Sequence, residues 1–211
     1  VVSIKLRGLA LRDTDVRPVA SALAGVLQRT ADPGVPLTLE LDASENELTD
    51  KGGIQLVRWL AELSSWWECA GGCRLRIVKL FKNRLGDGFC EQFARLIAGQ
   101  REAVEEVHLS HNSIQQRGLV ALLVALATHP WAAYPRSAAV GAVPCWVRLE
   151  HNEVADVEGL MSSLSEDPVN LRVCYAPRNQ KGPSCTSFHC NAAAPFGGTV
   201  AHVHLFCVRE Q

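Results

Sequence analysis

The stretch LRIVKLFKNRL, residues 75–85, limits what this chain can fold into more than any other. Its apolar positions Leu75, Val78, Leu80 and Leu85 lie 3, 2 and 5 residues apart, and Asn83 stands between the last two. A helix repeats its apolar face about every 3.6 residues and a half-buried strand about every 2, so neither fits alone. The spacing calls for a short strand that turns Val78 and Leu80 inward and is followed at once by a sharp turn. Backbone groups in a turn so near the core must be paired. A side-chain amide offers a donor and an acceptor together, so Asn83 reads as structural rather than catalytic.

The spacing recurs. VEEVHLSHNSI repeats it with Val104, Val107, Leu109, Asn112 and Ile114, and PCWVRLEHNEV with Val147, Leu149, Asn152 and Val154. TLELDASENEL supplies Leu41, Ala43, Asn46 and Leu48. Two outer copies are degenerate: VVSIKLRGLAL has Leu9 at the Asn position, and LRVCYAPRNQK keeps Asn179 but has Lys181 at the last apolar slot. Degenerate ends are expected of a repeat array. The Asn-to-Asn steps are 37, 29, 40 and 27 residues.

After each Asn comes an amphipathic helical pattern. Ile54, Val57, Leu60 and Leu63 share one face, as do Phe89, Phe93, Leu96 and Ile97. So do Leu119, Leu122, Leu123 and Leu126, and finally Val157, Leu160, Met161 and Leu164. Asp13, Asp50, Asp87, Gln116 and Asp156 stand just before these helices. An Asp there reads as an N-cap, its carboxylate accepting unpaired backbone N–H groups.

The core L-x-x-L-x-L-x-x-N-x-L resembles that of leucine-rich repeats, and the steps of 27 and 29 residues resemble the long repeats of the ribonuclease-inhibitor class. The resemblance implies an α/β fold: a curved solenoid of about six repeats, with a parallel sheet on the concave face, helices on the convex face and a C-terminal cap. Strands are expected near 3–7, 40–44, 77–81, 106–110, 146–150 and 173–177. The solenoid would span 1–180, with inserts near 64–73 and 128–145, and a Cys/His-containing cap or tail would fill 181–211.

In that register the strand positions between the inward residues hold Lys5, Asp42, Lys79, His108, Arg148 and Tyr175. The next outward slot holds Arg7, Ser44, Phe81, Ser110, Glu150 and Pro177, and the one after it Gly8, Glu45, Lys82, His111, His151 and Arg178. Aromatic residues among Lys and Arg are typical of contact surfaces. The expected partner-binding residues are Lys79, Phe81, Lys82, His108, His111, Trp146, Arg148, His151, Tyr175 and Arg178. Acidic Glu40, Asp42 and Glu45 precede this basic stretch, so the face reads as split by sign.

The first insert carries Trp66, Trp67, Cys69 and Cys73, and the second Trp131 and Tyr134. These aromatics are expected to fold back over helix ends. The tail crowds Cys185, His189, Cys190, His202, His204 and Cys207 into 23 positions, but the spacing does not match paired C-x2-C zinc ligands. No metal is assigned. TVAHVHLFCV alternates as a strand does, with Val203, Leu205 and Cys207 on one side, and is read as a cap over the last repeat.

Composition sets the outer limits. Hydrophobic residues make 47% and charged residues 20%, the balance of an ordinary globular chain. The net charge of −1 argues against a strong phosphate footprint. No apolar run approaches the ~18 residues of a membrane span. The eight cysteines, without a signal-peptide layout, read as free thiols in an intracellular, cytoplasmic protein. The start without Met reads as a piece of a longer protein. No nucleophile–base pair, phosphate loop or paired acid is found and no cofactor is implied, so the reading is a non-catalytic module that binds a protein on its concave face. The alternatives are a structural subunit of a larger assembly, with RNA contact kept only there, and a GTPase-activating regulator. Long repeats of this class also resemble those of Ran GTPase-activating proteins, but the acidic tail of that family is missing.

Overall fold

The computed structural model describes residues 1–30, 32, 34–66, 73–130, 134, 136–138, 141–143, 145–166, 171–175 and 201–206. Strand and helix alternate: β1 (Val2–Lys5), α1 (Asp13–Thr30), β2 (Leu37–Asp42), α2 (Asp50–Trp66), β3 (Cys73–Lys79), α3 (Asp87–Gly99), β4 (Glu106–His108) and α4 (Gln116–Ala127). There follow β5 (Arg136–Ala138), β6 (Gly141–Val143), β7 (Cys145–Arg148), α5 (Val157–Glu166), β8 (Leu171–Tyr175) and β9 (Ala201–Phe206). The class is α/β. Strands β1, β2, β3, β4 and β7 pair in that order, all parallel. Parallel neighbours need a long crossover, and here each crossover contains a helix. Helices α1 to α4 pack side by side in chain order. No helix among the described residues is long and apolar enough to cross a membrane.

The apolar spacing becomes rows. Ile4, Leu41, Val78, Val107 and Val147 stand in register across the five strands, and all are buried. Ala43, Leu80, Leu109 and Leu149 make the next inward row, and Leu48, Leu85, Ile114 and Val154 follow the turn. Leu6 and Leu11, at the outer strand, are only partly buried. The helices close over these rows. Phe89 and Phe93 stack at 5.4 Å in the centre, while Ile54 is half-buried and Leu56 and Trp59 take core places beside Val57. Burying one such side chain contributes about 1.5–3 kcal/mol. The observed strands β2, β3 and β8 begin a few residues before the expected ones.

The turn after each strand is held by its asparagine. The Asn83 amide donates to the carbonyls of Leu80 in its own unit and Ala43 in the one before, both at 3.1 Å, and its Oδ1 accepts the Leu48 N–H at 3.1 Å. Asn112 does the same with Leu109, Leu80 and Leu85, and Asn152 with Leu149, Leu109 and Ile114, at 2.9–3.0 Å. Asn46 reaches back to the Leu6 carbonyl and to the N–H groups of Leu9 and Leu11. All four are buried. The ladder expected of these amides is therefore present, and Asn179 lies outside the described residues.

Asp13, Asp50 and Asp87 do something other than cap their own helices, whereas Asp156, just before α5, is the N-cap expected of it. The residues before α3 and α4 are Gly86 and Gln115, and neither makes a side-chain cap. Asp13 instead accepts from the N–H and hydroxyl of Thr49, at 2.9 and 2.6 Å, in the next unit. Asp50 accepts from the Gly86 N–H at 2.5 Å and Asp87 from the Gln115 N–H at 2.8 Å. Burial alone would raise the Asp13 pKa, but hydrogen bonds from Thr49 and Gly52 outweigh it and the carboxyl is lowered. The next unit must leave room for each carboxylate. A Cβ at Gly88 would lie 2.6 Å from Asp50 Oδ2, and one at Gly118 2.5 Å from Asp87 Oδ1. Only at Asp156 does the carboxylate stay local, accepting the Gly159 N–H at 2.9 Å.

Two features depart from the expected topology. The second insert contains an antiparallel β5–β6 hairpin. The tail strand β9 lies between β7 and β8, parallel to both, rather than covering an outer edge. Val203 and Leu205 stand in register with Cys145 and Val147, as the alternation required. Near the start of the second insert, Tyr134 is buried, its hydroxyl accepting the Val104 N–H at 2.9 Å and its ring meeting His129 edge-on at 5.3 Å. Trp67 and Trp131 lie outside the described residues, and Trp66 is 49% exposed at the end of α2. Cys73, Cys90 and Cys145 are buried and form no disulfide. Burial pushes the Cys73 thiol up to about 12 against a hydrogen bond with Ser64, and burial also raises that of Cys90.

Two outcomes are expected from this arrangement. Asn112→Ala leaves the buried Leu85 N–H without its acceptor, while the Leu80 and Leu109 carbonyls keep Asn83 and Asn152 as donors, and lowers stability by roughly 1–3 kcal/mol in urea unfolding. Gly88→Ala destabilises the native chain, but in an Asp50→Ala background, where the obstructing carboxylate is gone, it becomes neutral or stabilising, since Ala exceeds Gly in helices by up to about 1 kcal/mol. The same sign in both backgrounds would show that Asp50 does not set the space at Gly88.

Candidate binding surface

The face of the sheet opposite the helices is built by the same register. Lys5, Asp42, Lys79, His108 and Arg148 stand side by side on successive strands, and Phe206 of β9 takes the next place beside Arg148. Tyr175 of β8 pairs with Leu205, which pairs with the inward Val147, so it stands one strand further out than the sequence implied and in the register of the inward row rather than that of Arg148. Arg178 lies outside the described residues, as do Cys185, His189, Cys190 and Cys207. Among the described residues no group of three His, Cys, Asp or Glu side chains is placed to hold a metal.

The second outward slot is not a surface row. Ser44, Ser110 and Glu150 are 0%, 5% and 6% exposed. Arg148 turns onto the buried Glu150, its Nε donating at 2.7 Å and its terminal nitrogen making a second contact. Phe81 is half-buried, with the Arg7 guanidinium 5.0 Å above its ring.

The third slot has a common backbone conformation. Gly8, Glu45, Lys82, His111 and His151 all take positive φ, between 53° and 68°, immediately before the Asn position. Left-handed backbone lets the chain reverse while the following side chain drops into the core. It also throws the preceding side chain outward at the rim. Glycine takes it without strain, but each of the four others costs on the order of 1 kcal/mol or more.

These rim residues pair between neighbours. Glu45 accepts from Arg7 at 3.0 Å and from Lys82 at 3.0 Å. The face is therefore not split into acidic and basic halves, because the acidic side chain bridges the two cations around it. Hydrogen bonds from Arg7 and then Lys82 hold the Glu45 carboxyl at about 2, well below the ordinary carboxylate range. His111 and His151 stack, ring centroids 4.1 Å apart and planes within 17°. Partial burial, and then the charge on His151 and the cations Lys82 and Arg148, lower the His111 pKa against the opposing pull of Glu150. His108 does not join that stack and instead meets Glu106 at 3.1 Å. The Lys79 side chain has no hydrogen bond or ion pair among the described residues. Trp146 of β7, in register with Glu106, is half-buried.

Sequence reasoning placed the inward rows of the first five repeat strands correctly but took the second outward slot for surface, misplaced Tyr175 and missed which members pair with each other. The signal was present for Arg148 and Glu150, which stand two residues apart at the end of β7 and in the turn just after it. A protonation prediction follows. A depressed carboxylate stabilises the fold above its unfolded pKa, and the contribution is lost as pH falls through the folded value. Loss of the Arg7–Glu45–Lys82 bridge is therefore expected between about pH 4.5 and about 2. Carbon-detected NMR titration of Glu45 reads this directly, and Arg7→Ala with Lys82→Ala should return its midpoint toward the ordinary range.

A scan against protein-family models returns no match, and a search of curated proteins finds none similar to this chain.

Proposed function

We propose that the chain is a leucine-rich-repeat solenoid of the ribonuclease-inhibitor type, and that it is a non-catalytic module binding a protein on its open sheet face. The register of the inward rows, the asparagine ladder and the helix in each parallel crossover support the architecture.

One observation carries the binding reading: non-glycine residues are retained at the left-handed rim positions Glu45, Lys82, His111 and His151. Strain of this sort needs a return. For Glu45 and Lys82 an ion pair at the surface, screened by solvent, offsets it only in part. For His111 and His151 the compensation is a ring stack, beside the bond of the His111 N–H to the Glu150 carbonyl. A docked partner supplies the rest. Lys79, Trp146 and the histidine pair form the part of the face least committed to internal ion pairs. Their mixture of cation, indole and imidazole suits a partly apolar protein surface bearing carboxylates.

The test must respect the Arg148–Glu150 pair, because charge reversal at Arg148 would leave Glu150 buried beside a second carboxylate. Lys79→Ala, Trp146→Ala and His111→Gly avoid this. Combined, they should weaken affinity for the captured partner by about 2 kcal/mol or more. His111→Gly alone should be no less stable than the native chain, since it relieves strain. Undiminished capture by the triple variant, with loss on Trp66→Ala instead, would move the contact to the helical side.

A further inference from the structure

On the helical side, between the C-terminal halves of α2 and α3, lies a cavity of about 530 Å³. That is within the range of small-molecule sites, roughly 300–1,000 Å³. Val57, Ala61 and Leu96 give it apolar walls, and Arg58, Arg74, Arg95 and Arg101 line it with cations against one carboxylate, Glu102. The two helix C-termini each add about half a negative charge. Four guanidinium groups against Glu102, the Glu105 that also holds Arg74, and these two ends leave an excess of about one positive charge.

The cations are not equivalent. Arg74 is held by Glu102 and Glu105, yet its buried Nε–H has no partner. Arg58 and Arg95 are exposed on adjacent helices and have no hydrogen bond or ion pair among the described residues. The polar floor is already fixed: Gln100 accepts the Leu75 N–H at 3.1 Å and donates to Ser64 Oγ at 3.3 Å, and Ser64 donates onward to Leu60. A rigid floor, apolar walls and uncommitted guanidinium groups are the parts of a site for an anion with an apolar body.

We propose that this cavity binds a small organic anion, an apolar body carrying a phosphate or carboxylate head. Arg58 and Arg95 engage the head, and Val57 and Leu96 receive the body. The site is separate from the sheet face and does not depend on what binds there.

Titration of the full chain with 1-naphthyl phosphate, 1-naphthoate and neutral 1-naphthol, followed by calorimetry, tests it. At least one charged probe should saturate, and naphthol should bind at least about tenfold more weakly. The ratio of the two charged probes identifies the preferred head. Arg58→Ala with Arg95→Ala should weaken the charged probe by about tenfold or more, the loss expected on removing charge-assisted hydrogen bonds. Both residues are exposed, so the fold should survive. The exposed pair Arg12→Ala with Arg29→Ala removes equal charge elsewhere and should change nothing. Failure of every charged probe to saturate, equal affinity for naphthol, or equal losses in the two double variants would overturn the assignment.

Discussion

The turn that follows each strand would bury backbone donors and acceptors without partners if an amide did not reach into it. Asn46, Asn83, Asn112 and Asn152 each satisfy a carbonyl in their own unit, a carbonyl in the unit before and an N–H in the unit before. An unpartnered buried group costs about 1–3 kcal/mol, and the carbonyls of Ala43, Leu80 and Leu109 are each shared by two successive amides, so the N–H of the preceding unit is the group that depends on a single asparagine. The Asn amide carries donors and an acceptor on one plane at neutral charge, and it is short enough to act three residues from its own-unit carbonyl. The amide also fixes the offset between neighbouring units, because two of its partners belong to the preceding one.

The rest of the arrangement depends on that offset. With the turns aligned, Ile4, Leu41, Val78, Val107 and Val147 meet edge to edge, and the helices pack over a continuous apolar floor. The left-handed residue before each Asn reverses the chain and becomes a rim position. The aspartates add a second linkage at the helix starts, which obliges Gly88 and Gly118 to be small. One constraint in the turn therefore sets the core, the helix spacing and the side chains that stand at the surface.

What was legible in the sequence follows this division. Asn83 and the spacing of Val78, Leu80 and Leu85 lie within one unit, so their roles could be read from eleven residues. The aspartate role was misread because Asp50 acts on Gly86, thirty-six residues away, and capping its own helix is the local reading of the same side chain. The pairing of Arg7, Glu45 and Lys82 likewise crosses units. Burial of Ser44 and Ser110 was missed because small polar residues fit a turn interior and a surface equally well. The place of β9 between β7 and β8 has no local signal, since its alternation serves an edge strand and a central one alike.

The central claim is that each asparagine secures the unit before its own. Amide hydrogen exchange, residue by residue, on Asn112→Ala tests it most directly. The account predicts a selective loss of protection at Leu85, whose N–H lies 3.0 Å from Asn112 Oδ1, while Leu48 and Ile114, bound to Asn83 and Asn152, keep theirs. Unchanged exchange at Leu85, or equal acceleration at all three amides, would contradict it.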